Sequence, residues 1–151
     1  MLNYIIDGNN LIGKIPVLMN LQKKDKQQSR AKLAFLLDRF FYDKKANVTL
    51  HLDGFAGDKI NSARIKIIYS DNISADEKIK KQIEKSTSPK NFIVITSDSN
   101  LAQFAKVCSC KVLSCEDFAK QINEASSGKE EEKIIKSMME NSSEFRKLFD
   151  V

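Results

Sequence analysis

Residues 2–10 read LNYIIDGNN, and this stretch decides the fold that the sequence predicts. Leu2–Ile6 is a short apolar run that stops at Asp7, where Gly8 and two asparagines follow. Short apolar runs bounded by turn-forming residues are typical of buried strands. We therefore expect a buried first strand with Asp7 directly after its C-terminal end.

Strand-like and helix-like segments alternate along the rest of the chain, which predicts an α/β fold with helices on both faces of a sheet. Residues 13–27 are predicted to be a loop with one helical turn, and residues 54–64 to be a polar loop. The predicted strands are Asn47–Leu52, Ile65–Tyr69, Asn91–Thr96 and Lys111–Leu113, and the predicted helices are Gln28–Tyr42, Ser74–Ser86, Asn100–Val107 and Glu116–Ala125.

The chain has 151 residues, which fits one domain with a short appendage. Residues 126–128 are Ser-Ser-Gly, and we place a domain boundary there, between a domain of residues 1–128 and a helical extension of residues 129–151. The extension is predicted to be a charged helix with an apolar stripe. It either folds back on the domain or mediates a homodimer, and the sequence leaves both open.

The composition favours a cytoplasmic protein with a basic surface. No apolar run approaches the roughly 20 residues of a membrane span, no signal peptide is visible, and three cysteines suggest free thiols in a reducing compartment. The formal net charge is +5, and residues 1–45 carry the whole excess, with nine Lys and Arg against four Asp. Such a surface suits a polyanion such as RNA.

Four aspartates lie at equivalent places in the predicted fold. Asp7, Asp53 and Asp98 each follow the C-terminal end of a predicted strand by one or two residues. Asp76 lies in the first turn of the helix after the third strand. Ligands of open α/β sheets bind in the crevice at the carboxyl ends of the strands. We therefore expect the four carboxylates to converge on one crevice.

Convergence of carboxylates predicts a metal site. Like charges a few ångströms apart repel strongly in a partly buried site unless protons or cations intervene. Acidic oxygen ligands with almost no histidine suit Mg²⁺ or Mn²⁺. One or two such ions can stabilise the attacking and leaving oxygens during cleavage of a phosphodiester.

Each aspartate also has a purely structural interpretation. Asp76 lies inside a capping box formed by Ser74 and Glu77, where it complements the helix dipole. Asp98 can cap the next helix, and Asp7 and Asp53 each precede a glycine, as in ordinary turns. Three cysteines with the spacing C-x-C-x₄-C and His51 do not form a familiar zinc site, and we interpret them as packed side chains.

An ordered set of short motifs resembles the PIN-like NYN family, most closely its bacterial YacP-like branch, over residues 1–125. No motif is specific alone, and Asn9 stands where the family usually has an aromatic residue, a departure that we expect to touch no acid. The motifs are YIIDGNNLIG (residues 4–13), LDG (52–54), ISAD (73–76), VITSD (94–98) and SCEDF (114–118), of which the first, third and fourth resemble the family's DGYN, TAD and TSD elements.

The resemblance implies a PIN-like three-layer fold whose five-stranded, largely parallel sheet has the order 3-2-1-4-5. It implies an endoribonuclease of mRNA turnover or RNA processing that uses Mg²⁺ or Mn²⁺. The implied catalytic metal ligands are Asp7, Asp76 and Asp98, with Asp53 as a fourth. Asn10 would orient Asp7 or a metal-bound water, and Ser97 would support Asp98.

Several basic and aromatic residues are candidates for contact with RNA. Lys14, Lys23, Lys24 and Lys80 could contact phosphates, although a solvated surface is the alternative. Phe55 could stack on a base or fill the core.

Other functions compete with the nuclease. A non-catalytic RNA-binding module and a toxin-type PIN ribonuclease share this fold, whereas a receiver domain or a haloacid-type phosphatase would need a second acid in the first turn. The expected partner is RNA, which could include mRNA on the ribosome.

Overall fold

A five-stranded sheet organises residues 1–125, the part of the chain that this computed structural model describes. Every neighbouring pair is parallel and the order is β3-β2-β1-β4-β5, which confirms the predicted α/β class and strand order. The strands are β1 (Leu2–Asp7), β2 (Ala46–Leu52), β3 (Ile65–Tyr69), β4 (Phe92–Ile95) and β5 (Lys111–Leu113).

Helices cover both faces of this sheet and make three layers. Within residues 1–125 no helix is both long enough and apolar enough to cross a bilayer. The helices are α1 (Gly8–Ile12), α2 (Pro16–Lys24), α3 (Lys26–Phe41), α4 (Ala75–Lys85), α5 (Ser99–Val107) and α6 (residues 115–125), with a 3₁₀ turn at Pro89–Asn91.

The central strand β1 separates two apolar cores. Ile6 is fully buried among the side chains of α3 and α6, whereas its neighbour Ile5 is fully buried with Ile79 of α4 and Leu101 of α5. This follows from the strand geometry, in which successive side chains point to opposite faces. The chain winds from β1 to β3 in one direction and then returns to β4 and β5 in the other. The C-terminal end of β1 is therefore the topological switch point, where ligands of such sheets bind.

The main difference from the predicted elements lies in residues 13–27. They contain the nine-residue helix α2 where the sequence predicted a loop with one helical turn. Pro16 occupies the first turn, where proline favours a helix, and Asp25 caps the following helix by accepting from two backbone N–H groups of α3. Only Leu18 of α2 is buried, so the segment lacks the apolar stripe that reveals a helix. The predicted boundary at 126–128 and the extension 129–151 lie outside the described residues.

Gly8 allows β1 to pass directly into α1 against the end of β2. A Cβ atom added at Gly8 would lie 2.7 Å from the carbonyl oxygen of His51 and 2.7 Å from the side chain of Leu52. Real Cβ atoms do not approach backbone oxygens so closely, so the junction requires glycine. The predicted turn after Asp7 is thus the start of a short helix.

We expect Gly8→Ala to lower the free energy of unfolding by about 1–3 kcal/mol, because the junction must shift to accept the extra methyl group. Gly13→Ala is the matched control, since its Cβ would meet only ordinary contacts of 3.4 Å or more and Gly13 has helical dihedrals. The control should be neutral or more stable by up to about 1 kcal/mol. Urea denaturation of both variants checks this, and equal losses would contradict the role of Gly8.

Candidate active site

Asp7 is the buried acid at the switch point, with only 9% of its surface exposed. The pKa of Asp7 is raised from 3.8 to about 6, chiefly by burial and to a smaller extent by the negative charges of Asp53 and Asp76. Hydrogen bonds from the Thr96 hydroxyl, 3.0 Å from Oδ2, and from the Asn10 backbone amide lower the pKa in part. Asp7, Asp53 and Asp76 therefore form a cluster of acidic side chains around the buried Asp7.

Asp53 follows the last residue of β2 and is held by its backbone and by its side chain. Its Oδ1 accepts a 2.8 Å hydrogen bond from the backbone N–H of Ala75, which links it to the first turn of α4. Its own N–H donates to Oδ1 of Asn9 at 3.1 Å, and its carbonyl accepts from Arg30. The expectation that the Asn9 departure touches no acid is therefore wrong, because the shorter side chain reaches the backbone of Asp53.

Asp76 lies in the first turn of α4, half-buried beside the cluster. Ser74 caps this helix by accepting from the N–H of Glu77 at 3.1 Å, as the capping-box interpretation predicted. Oδ2 of Asp76 lies 3.1 Å from the ammonium of Lys80, while Oδ1 is buried and has no hydrogen-bond partner among residues 1–125. A buried oxygen without a partner is costly, so this atom is suited to accept a cation.

Asp98 caps α5 and is exposed at the same edge of the sheet. Its Oδ1 accepts from the N–H of Leu101 at 2.9 Å, so the cap interpretation holds. Its N–H donates to Oγ1 of Thr96 at 3.1 Å, and the same hydroxyl donates to Asp7. Thr96 thus links the backbone of Asp98 to the buried acid, and the cap occupies one carboxylate oxygen of Asp98.

The two supporting residues predicted from the resemblance have different contacts from those expected. Asn10 Oδ1 accepts from the backbone N–H of Ser97 at 2.9 Å, so its side chain ties β1 to β4, and its backbone amide serves Asp7. Ser97 Oγ donates to Glu116 at 3.0 Å and accepts from the N–H of Cys115, so it does not support Asp98. Thr96 takes that role, because adjacent side chains of extended backbone point to opposite faces.

The four predicted RNA-binding lysines fall into two pairs. Lys14 and Lys80 each meet an acid, since Lys14 lies 3.0 Å from Glu116 and Lys80 lies 3.1 Å from Asp76. Lys23 and Lys24 are exposed in the last turn of α2. These last two are therefore the more available to an external phosphate.

The carboxylate oxygens of the cluster are ligands that a hard divalent cation prefers, although the side chains are not arranged as a complete metal site. Within residues 1–125, no three His, Cys, Asp or Glu side chains are grouped so that they could hold an ion. The clustered charges on Asp7 and the partnerless oxygen of Asp76 nevertheless match the oxygen ligands that Mg²⁺ and Mn²⁺ prefer.

The cysteines and His51 are packed side chains. Cys108, Cys110 and Cys115 are free thiols, and burial raises the pKa of Cys115 to about 12. His51 is buried, lies 2.7 Å from Oε1 of Gln82, and points away from the face that holds Leu50 and Leu52. We therefore assign packing roles to these four side chains.

Sequence reasoning missed three residues that hold the site together: Thr96, Arg30 and Asn9. Arg30 had a visible signal, because it interrupts the buried stripe of α3 that Leu33 and Leu37 continue. Thr96 and Asn9 lie inside the quoted motifs, but a polar residue at a strand end is also typical of solvent-exposed turns, so the sequence did not indicate which contacts they make.

The family of YacP-like NYN domains matches residues 4–150 of the chain. Two crystal structures of Rae1 (YacP) from Bacillus subtilis are similar to it. The structure of a point variant has a TM-score of 0.74 at 21% identity and covers 94% of this chain and 87% of its own. The other has a TM-score of 0.70 at 22% identity and covers 99% and 93%. No curated protein sequence matches the chain.

We expect Asp7→Asn to stabilise the metal-free protein at pH 7.5. The folded state holds the Asp7 proton more tightly than the unfolded state, because its pKa is raised from 3.8 to about 6. The free energy of unfolding of the wild type therefore falls as the pH rises from about 4 through about 6. The total loss is on the order of 3 kcal/mol, because each unit of the pKa shift corresponds to about 1.4 kcal/mol.

Urea denaturation in EDTA at pH 7.5 and pH 4 measures this difference. The variant should be the more stable at pH 7.5, and most of its advantage should disappear at pH 4. An Asp7→Asn protein no more stable than wild type at pH 7.5 would show that the carboxylate is not held under repulsion.

Proposed function

Because the chain belongs to the family of YacP-like NYN domains, a nuclease family, we propose that it is a cytoplasmic endoribonuclease. It would hydrolyse phosphodiester bonds of RNA with Mg²⁺ or Mn²⁺ at the acidic cluster. The position of Asp7 at the switch point of the sheet supports this proposal, because ligands of open α/β sheets bind there.

One observation carries the proposal: carboxylates from three separate segments lie close enough for two of them to act on the charge of the third. Asp53 and Asp76 raise the pKa of the buried Asp7, which lies 46 and 69 residues away in the sequence. A fold does not retain such repulsion for stability, since acids near one another destabilise the metal-free protein. Perturbed carboxylates in a crevice are instead typical of functional sites.

The residues that would hold the cation are Asp7, Asp53 and Asp76, with Asp98 at the rim. When bound, Mg²⁺ or Mn²⁺ supplies Lewis-acid stabilisation of the negative charge that develops on a phosphodiester during hydrolysis. The chain contributes the orientation of these carboxylates, because the Ala75 amide holds Oδ1 of Asp53 and the Thr96 hydroxyl holds Oδ2 of Asp7.

RNA would approach from the side of α2 and the loop after β2. Lys23 and Lys24 end α2 directly before α3, whose Arg30 contacts the loop that follows Asp53. Phe55 in that loop is 62% exposed, so it does not fill the core and is available to stack on a base. In this proposal, the basic end of α2 would contact the phosphates and the Phe55 ring would stack on a base while the acidic cluster acts on the backbone of the RNA.

A non-catalytic RNA-binding module is the second candidate, and one observation favours it. Lys80 occupies an oxygen of Asp76, and the acids within residues 1–125 do not form a ready metal site. In such a module, the ammonium of Lys80 would neutralise negative charge of the acidic cluster in place of a metal ion. A cleavage assay separates the two functions.

The purified protein should cleave single-stranded RNA with Mn²⁺ or Mg²⁺ and lose this activity in EDTA. Asp7→Asn should lower kcat by more than about 100-fold, above the range seen when only a supporting residue of a metal site is lost. Fluorescent RNA oligonucleotides resolved on gels give both the rate and the internal position of each cut.

Asp43→Asn is the control, because it removes one exposed acid near the opposite edge of the sheet. It should keep wild-type kcat, and millimolar Mn²⁺ should raise Tm for it and for wild type but much less for Asp7→Asn. RNA binding without cleavage in either cation would favour the binding module. Equal activity of Asp7→Asn and wild type would refute the acidic site.

The double variant Lys23→Ala/Lys24→Ala should bind RNA more weakly at low salt. Losing two phosphate contacts should reduce the slope of log K against log salt concentration by about one to two. Lys85→Ala/Lys90→Ala removes the same charge near the opposite edge and should leave the slope unchanged. Fluorescence anisotropy with the Asp7→Asn background measures binding without cleavage, and equal slope changes would mean that only net charge matters.

A further inference from the structure

Arg30 is a buried charge without a counter-charge. It lies on the inner face of α3 with 4% of its surface exposed, and within residues 1–125 it forms no ion pair. Taking a guanidinium out of water is costly unless its N–H groups find strong acceptors. The contacts that Arg30 makes in place of an ion pair therefore indicate its role in the structure.

The guanidinium bonds to two carbonyls of the loop after β2. Nη2 donates to the carbonyl of Asp53 at 2.5 Å, and Nη1 donates to the carbonyl of Phe55 at 3.0 Å. Nη1 also lies 3.3 Å from Oε1 of Gln27, and the group lies over the ring of Tyr69, 5.3 Å from its centroid. The strongest acceptors of Arg30 thus belong to the segment that carries an acid of the cluster.

This segment makes a tight turn that depends on outside partners. Gly54 has a φ of +87°, its N–H donates to Ser70 Oγ at 2.9 Å, and its carbonyl accepts from the N–H of Asp71 at 2.9 Å. Asp53 follows the last residue of β2, so its backbone is not paired with β1 or β3. Its N–H is held by Asn9, and Arg30 is the group that holds its carbonyl.

We propose that Arg30 is a positioning residue of the site, which fixes the Asp53 carboxylate and the exposed Phe55 ring relative to Asp7. The inference rests on the proposed nuclease function and extends it to a residue that touches neither metal nor RNA. Arginine suits this role because its planar fork bonds two carbonyls at once, whereas lysine offers a single ammonium on a flexible chain. Losing the fork frees the Asp53 turn without removing any acidic side chain.

Arg30→Met and Arg30→Lys in the full chain test the proposal. Arg30→Met should weaken Mn²⁺ binding 10–100-fold, the range for residues that support metal ligands, and lower kcat similarly. Hydrogen exchange of the backbone amides of residues 53–57 should become faster. Arg30→Lys should fall between Arg30→Met and wild type on all three measurements. It also provides the test if the methionine variant does not fold.

Leu37→Ala is the matched control, because it opens a cavity on the same helix at a fully buried position. It should lower Tm but keep the Mn²⁺ affinity and the exchange rates of residues 53–57. A folded Arg30→Met or Arg30→Lys with wild-type Mn²⁺ affinity and exchange rates would overturn the proposal. If wild type neither binds Mn²⁺ nor cleaves RNA, the nuclease function fails, and the positioning role in the site fails with it, whatever the exchange rates.

Discussion

The burial of one carboxylate at the end of the central strand is the constraint on which the site depends. Asp7 lies between β2 and β4, where water cannot surround it, and faces the charges of Asp53 and Asp76. Such a group needs a proton, a cation or several hydrogen-bond donors. Thr96 and the Asn10 amide supply part of this, and the proposed cation would supply the rest.

Side chains replace backbone pairing just beyond the ends of the strands. Asn9 joins the start of α1 to the residue after β2, and Asn10 joins it to the residue after β4. Each neutral bond is worth only about 0.5–1.5 kcal/mol, but leaving a buried partner unpaired costs more. The acids are therefore held by a connected set of modest bonds, in which Arg30 supplies the buried charge.

The sequence predicts the fold well because the strands are short apolar runs and the helices have periodic stripes. The limits of β3 and β5 coincide with the predicted ones, while α2 was missed because it buries a single leucine. The placement of the acids at one edge was also predictable, since parallel strands end together. The contacts of Ser97 and Thr96 were not, because they depend on which face each side chain takes after the strand has ended.

The bond between Thr96 and Asp7 joins residues 89 positions apart, and β4 reaches its place only by inserting beside the first strand made. Non-local pairings of this kind form late in folding. During synthesis, the amino-terminal half of the chain contains β1, β2 and β3. At that stage Asp7, at the end of β1, still lacks the Thr96 hydroxyl and the neighbouring strand β4. A nascent fragment that ends before β4 therefore lacks the strand beside β1, the Thr96 donor and Asp98, so the four acids come together only after synthesis has passed residue 98.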